Sequence, residues 1–360
     1  MPYLVRVLRI GMVLSVLAFG SATESHSGSA AAQYIDVHMH LDGLYQSGGT
    51  LVKDYETAAK NLIAQMDQYG VATALVLPPP QVLGQSGSSG PATYSDLLKA
   101  VRANPSRLYL VAGGDTLNPL IHGTAASAVT SALRAQFEAQ ALEIIRSGSK
   151  GFGELAALHL SFESRHPYEE VSPDHPLFLL LADIAAREEL PIDWHMEAVA
   201  QDIPLPKGFS APPNASVLHE NITALERLLS HNRGARIVWQ HIGWDNTGHM
   251  TVDLLRRLLK AHPNLYLALR VEERWLTVGG SPMPNRIVNE NWKIRPEWTL
   301  LIAEFPDRFM IGSDEFVGIP GRTPRRPQSF EETWRILGQL PGALAAKIGY
   351  ENAARVYNLR

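Results

Sequence analysis

A chain of 360 residues that is 45% hydrophobic and 19% charged can bury one large core or two smaller ones. Its formal charge of -4 supplies no basic footprint, which argues against nucleic acid as a partner. The lack of cysteine excludes disulfides, thiolate metal sites and a cysteine nucleophile, and it leaves the redox compartment open.

Residues 1–32 read as a signal peptide. Arg6 and Arg9 give a positive start, and Ile10 to Phe19 form an apolar run too short to span a bilayer. A small, polar stretch then ends at Ala30-Ala31-Ala32, which resembles a cleavage site. Removal of Arg6, Arg9 and Glu24 with this segment makes the remainder one charge more negative. The expected product is periplasmic or secreted, with no stable membrane insertion after cleavage. Residues 33–360 are expected to form a single domain.

From Tyr34 onward, short apolar runs alternate with amphipathic stretches. The spacing predicts eight strands: Tyr34 to His38, Ala72 to Leu77, Arg107 to Gly113, Lys150 to Leu155, Pro191 to Met196, Arg236 to His241, Leu265 to Arg270 and Arg308 to Asp314. Helices are predicted between and after them: Leu51 to Tyr69, Tyr94 to Ala103, Ala128 to Arg146, Pro176 to Glu189, Val217 to Ser230, Thr251 to Ala261, Pro296 to Phe305 and Phe330 to Leu340. Such alternation implies parallel strands with right-handed crossovers, and eight units fit an α/β (β/α)8 TIM barrel with long loops. No glycine-rich phosphate-binding pattern follows any strand, which disfavours a doubly wound nucleotide-binding sheet. Long loops at Gln81 to Pro91, Val199 to Asn214 and Glu272 to Arg295 follow strands, at the end where barrel enzymes build their sites.

His38-Met39-His40 closes the first strand, and a strand sends residues i and i+2 to one face. Alone the pair is weak evidence for a metal. However, Glu154, His195, His241 and Asp314 stand at the ends of the fourth, fifth, sixth and eighth strands. The intervals from His40 onward are 114, 41, 46 and 73 residues, that is three units, one, one and two. Each residue has an ordinary alternative, such as a hydrogen-bonded core histidine, a helix cap or half of an ion pair. Five such coincidences at matching phase are implausible, so the set is read as converging on one or two divalent metals. Zinc is the default for these ligands, with manganese or cobalt as alternatives.

At these residues the chain resembles the amidohydrolase superfamily, and most closely its amidohydrolase-related branch of decarboxylases and lactonases. The matching pieces are Asp36-Val37-His38-Met39-His40, Lys150-Gly151-Phe152-Gly153-Glu154, Trp194-His195, His241 and Arg308-Phe309-Met310-Ile311-Gly312-Ser313-Asp314. The terminal Gly349 to Tyr357 segment, with Asn352-Ala353-Ala354-Arg355, matches as well. The resemblance implies that His38, His40 and His195 bind metal and that Asp314 binds it or touches its water. It implies His241 as a ligand of a second metal or a catalytic group beside the water. Glu154 would be a ligand or an acid hydrogen-bonded behind one, and Lys150 sits too deep to supply a bridging carbamate.

These readings lead to an exported metal-dependent hydrolase acting on an ester, lactone or amide of a small molecule. Asp314 would move the proton and His241 would support the oxyanion. Arg270 is a candidate clamp for a substrate carboxylate, with a salt bridge to Glu272 or Glu273 as its alternative. Trp194 should face the helices. Trp239 should pack inside the barrel below His241, and Trp275 and Trp292 could line a pocket. His122, His159, His166 and His249 are assigned to no metal. The alternatives are a decarboxylase on the same barrel, a metal-dependent nuclease suggested by His38 to Asp42, and a non-catalytic binding protein. A homo-oligomer is compatible with the sequence.

Overall fold

The computed structural model describes residues 34–82, 92–162, 166–209, 213–271, 277–278, 281–322 and 330–359. The expected signal peptide, most of the loop at 81–91, and Glu272, Glu273 and Trp275 lie outside the described residues.

Parallel strands surround the core. The first, Tyr34–Asp42, pairs on one side with the second, Val71–Val76, and on the other with the eighth, Phe309–Ile311. Beyond the eighth lie the seventh, Leu265–Leu269, the sixth, Arg236–Ile242, the fifth, Pro191–Met196, and the fourth, Phe152–His159. The third position is split at Val111. Leu108–Leu110 pairs with the second strand and Ala112–Gly113 with the fourth, so pairing passes from neighbour to neighbour through one short segment. These are the eight positions expected of a TIM barrel.

Helices cover the outside. Tyr55–Tyr69 starts where Asp54 accepts from the Thr57 N–H and stops at Gly70, whose φ of 73° suits glycine. Tyr94–Arg102 begins with a capping box made by Thr93 and Asp96. Pro176 and Pro296 occupy first turns, where a missing N–H costs nothing. An inner cluster of Ile35, Val37, Leu75, Val238, Ala268 and Met310 fills the barrel. Val356 and Tyr357 belong to that cluster, at the end where strands four and five begin, since Gly151 packs against both Pro191 and Tyr357. The opposite end is therefore open for a site.

The structure corrects several boundaries. Residues expected to begin the first helix instead form a strand, Thr50–Lys53, in a hairpin with Leu44–Ser47, and the helix starts at Tyr55. Val217–Leu218 likewise pairs with Ile203–Pro204, and the following helix runs Ile222–His231. Both errors have one cause: branched apolar residues at a helix start suit an edge strand equally well. The fourth strand runs on to His159, whereas the eighth stops at Ile311 and pairing resumes at Glu315–Gly318.

Trp194 packs on Phe178 of the helix Pro176–Arg187, ring centroids 4.6 Å apart, as expected of an outward residue. Trp239 was expected inside and is not. It stands level with Trp194 in the parallel register and so shares its outward face, while Val238 stands level with the inward Asp193. Alternation fails as a guide here because His241 has a φ of 61°, which breaks the two-residue period between Trp239 and His241.

Candidate metal centre

His38 and His40 reach the open end of the barrel from the first strand, both fully or almost fully buried. Their Nε2 atoms approach to 3.2 Å. Each ring is held from behind. His38 Nδ1 donates to Asp193 Oδ2 at 3.2 Å, and His40 Nδ1 donates to the Leu77 carbonyl at 2.8 Å. With the Nδ1 protons committed, two Nε2 lone pairs face each other, an arrangement that favours a shared cation. Phe316 stacks on His40, centroids 4.3 Å apart, and fixes its plane.

Glu154 lies between the remaining imidazoles. Its Oε1 is 2.7 Å from His195 Nδ1 and 3.2 Å from His241 Nε2. Its Oε2 is 3.4 Å from His40 Nε2 and 3.5 Å from His38 Nε2. Asp314 adds Oδ1 at 3.2 Å from His40 Nε2, while its Oδ2 pairs with Arg270. Two overlapping groups suited to a metal share Glu154: His38, His40 and Glu154, and Glu154, His195 and His241. A third joins His38, His241 and Asp314. All six residues expected from the strand spacing are therefore brought together.

His241 and Asp314 both adopt left-handed backbone, with φ of 61° and 57°. Such a conformation costs an L residue on the order of 1–3 kcal/mol and gathers at functional sites. Here it turns both side chains into the barrel mouth just past their strands.

Electrostatics match the geometry. Burial opposes ionisation of Glu154, but His38, His195 and His241 overcome it and hold the carboxyl well below its usual range. Burial likewise opposes the Asp314 carboxylate, and the Arg270 guanidinium holds it ionised. Burial disfavours the His38 imidazolium, yet Asp193 and Glu154 raise it well above the usual value. His241 goes the other way: burial pushes it down to about 3, so it is a neutral ring. Buried carboxylates that draw protons onto nearby imidazoles draw a divalent cation in the same way, and this donor set of nitrogens and oxygens fits one.

The sequence reading missed the supporting residues. Asp193 holds His38 and also accepts from Gln240 Nε2 at 2.5 Å. Its signal was available, since Asp193 shares the parity of His195. Gly153 and Gly312 were also missed. A Cβ on Gly153 would lie 2.4 Å from the Asp193 Cβ, and one on Gly312 would meet Gln240 Oε1 at 2.8 Å and the His38 Cβ at 3.1 Å. Arg270 packs over Trp244 at 4.3 Å and pairs with Asp314. Lys150 lies over Tyr109 at 5.5 Å and is absent from the cluster, as expected. Trp292 lies instead under Arg335, at 4.6 Å. His159, though no member of the metal groups, packs at a tilt against His195 with centroids 4.7 Å apart, and His166 lies 4.7 Å from His159.

A family model described as amidohydrolase, Amidohydro_2, matches residues 126–359, which include Glu154, His195, His241 and Asp314. The chain belongs to the amidohydrolase family. It is an enzyme of the metal-dependent amidohydrolase type, and His38 and His40, outside the matched stretch, complete its cluster. Solved structures agree on the fold of this amidohydrolase. A probable 2-pyrone-4,6-dicarboxylic acid hydrolase from Acinetobacter baumannii is 14% identical, with 91% of this chain and 99% of that one covered and a TM-score of 0.51. An uncharacterised TIM-barrel protein from Bordetella bronchiseptica is 14% identical, with the same coverage and a TM-score of 0.50. A dihydroorotase from Saccharomyces cerevisiae is 12% identical, with 92% and 85% covered and a TM-score of 0.52. No curated protein matches the amidohydrolase sequence.

Proposed function

We propose that this amidohydrolase is an exported enzyme that hydrolyses an ester, lactone or amide bond in a small molecule, using two divalent metals, zinc by default. The observation that carries the reading is Glu154, whose two oxygens face two separate imidazole pairs. His38, His40 and Asp314 would hold one ion, His195 and His241 the other, and Glu154 would join them. When bound, the metal lowers the pKa of water towards neutrality and polarises the scissile carbonyl.

The chain's own residues do the rest. Arg270 takes Oδ2 of Asp314 and leaves Oδ1 turned to the centre, where it accepts the proton of the attacking water and returns it to the leaving group. His241 is neutral in its buried site, which suits a nitrogen ligand. Asp193 and the Leu77 carbonyl keep both Nε2 atoms of the first strand directed inward. Export is supported by the charge and hydropathy pattern of residues 1–32.

The test is elemental analysis of the purified chain, followed by a panel of esters, lactones and amides. About two ions per chain and turnover that falls on chelation and in Asp314→Asn are expected. No bound metal at neutral pH would overturn the reading, and release of carbon dioxide from an aromatic acid in place of hydrolysis would replace it with a decarboxylase.

A further inference from the structure

Strict alternation would point the histidine pair of the first strand out of the barrel. Ile35 and Val37 belong to the inner cluster. Residues of the other parity, Asp36, His38 and His40, would then face the helices. Asp36 does so. Its Oδ2 accepts from Trp334 Nε1 at 3.2 Å, and Trp334 lies beside Tyr69 of the first helix, ring centroids 6.0 Å apart. His38 and His40 instead reach the metal cluster, and Met39 joins the outer cluster with Leu62 and Met66.

A bulge makes the change. Asp36 stands opposite Ala74 and Met39 opposite Val76, three steps against two. On the other side Asp36 stands opposite Ile311 and Met39 opposite Glu315, three steps against four. Such irregularities re-aim side chains and leave N–H groups outside the ladder. Here one atom gathers them from both strands. Asp36 Oδ1 accepts from the His38 N–H at 3.0 Å and from the Ser313 N–H at 3.2 Å. An aspartate side chain reaches the N–H two residues on without strain. The Asp314 N–H donates to the His38 carbonyl at 2.9 Å, so the left-handed turn at Asp314 rests on the same bulge. Asp36 is fully buried, and burial pushes its carboxyl up to about 6, still ionised at neutral pH.

We propose that Asp36 is a positioning residue of the metal centre. Its carboxyl holds the bulge that turns His38 and His40 into the barrel mouth, and it fixes the Asp314 turn against them. This role rests on the two-metal reading and names what aims the ligands of the first-strand ion.

Two variants separate position from charge. Asp36→Glu keeps the charge and moves the acceptor out by one methylene. Asp36→Asn combined with Trp334→Phe drops the charge, keeps Oδ1 for both N–H groups and sets no indole donor against the new amide. Zinc is counted per full chain by elemental analysis, and its affinity is read by competition with a chromophoric chelator. Asp36→Glu should fall from about two ions to about one, with the lost ion bound about 10–100-fold more weakly. The paired variant should keep about two ions, within about threefold of the wild-type affinity. Asp36→Ala, which has no acceptor, takes the place of Asp36→Glu if the longer side chain prevents folding, and should give the same loss. An unchanged ratio and affinity in Asp36→Glu, loss of both ions together, or an equal loss in the paired variant would overturn the role of Asp36 and leave the metal centre standing. A wild-type chain without metal at neutral pH would overturn both.

Discussion

Glu154 Oε1 lies 2.7 Å from His195 Nδ1, a contact between neighbouring strands that makes one carboxyl the hinge of the whole centre. Its other oxygen faces His38 and His40 from the first strand. Replacing Glu154 by Gln keeps the shape and removes the charge that both imidazole groups share. Bound metal should fall from about two ions per chain to about one or fewer. Elemental analysis after gel filtration reads this directly, and an unchanged ratio would remove Glu154 from the ligands.

Asp193 sets the tautomer of His38 through Nδ1. In Asp193→Asn this acceptor is weakened, and metal affinity should drop about 10–100-fold with the fold retained. Competition with a chromophoric chelator measures the change, while circular dichroism checks the fold.

Arg270 separates two roles by kinetics. It orients Asp314, so Arg270→Met should lower kcat by about 100-fold with little change in KM, the usual result of misplacing a reacting group. A clamp on substrate carboxylate would give the reverse, a raised KM at constant kcat.

Gly153→Ala forces a methyl against the Asp193 Cβ. The overpacking should cost about 1–3 kcal/mol in urea unfolding. Metal affinity should fall with it, because the displaced side chain is the one that holds His38.

Glu169 lies outside the ligand set and gives a separate pH signature. It is buried, receives a hydrogen bond from Asn118 at 2.7 Å, and burial pushes its carboxyl from 4.5 up to about 7. Between those values the folded chain keeps a proton that the unfolded chain has lost, so this group's contribution to stability falls as pH rises from about 4.5 to about 7 and is level above. Relative to the wild type, Glu169→Gln should gain stability between pH 5 and 8 in urea titrations. A difference independent of pH would show that Glu169 titrates normally.

What the sequence determined by itself was the repeat and its phase. Alternation within a strand and the strand–helix period are local properties, so the eight strand positions and the set His38, His40, Glu154, His195, His241 and Asp314 were legible in order along the chain. What only the tertiary structure decided was how groups from distant strands meet. Which oxygen of Glu154 faces which ring, the capture of Arg270 by Asp314, and the hold of Asp193 on His38 across 155 positions all depend on through-space distances. The outward turn of Trp239 belongs with them. Left-handed backbone at His241 ended the alternation that sequence reasoning relied on, and such a conformation in a non-glycine residue is stabilised by its surroundings, not announced by its neighbours in the chain.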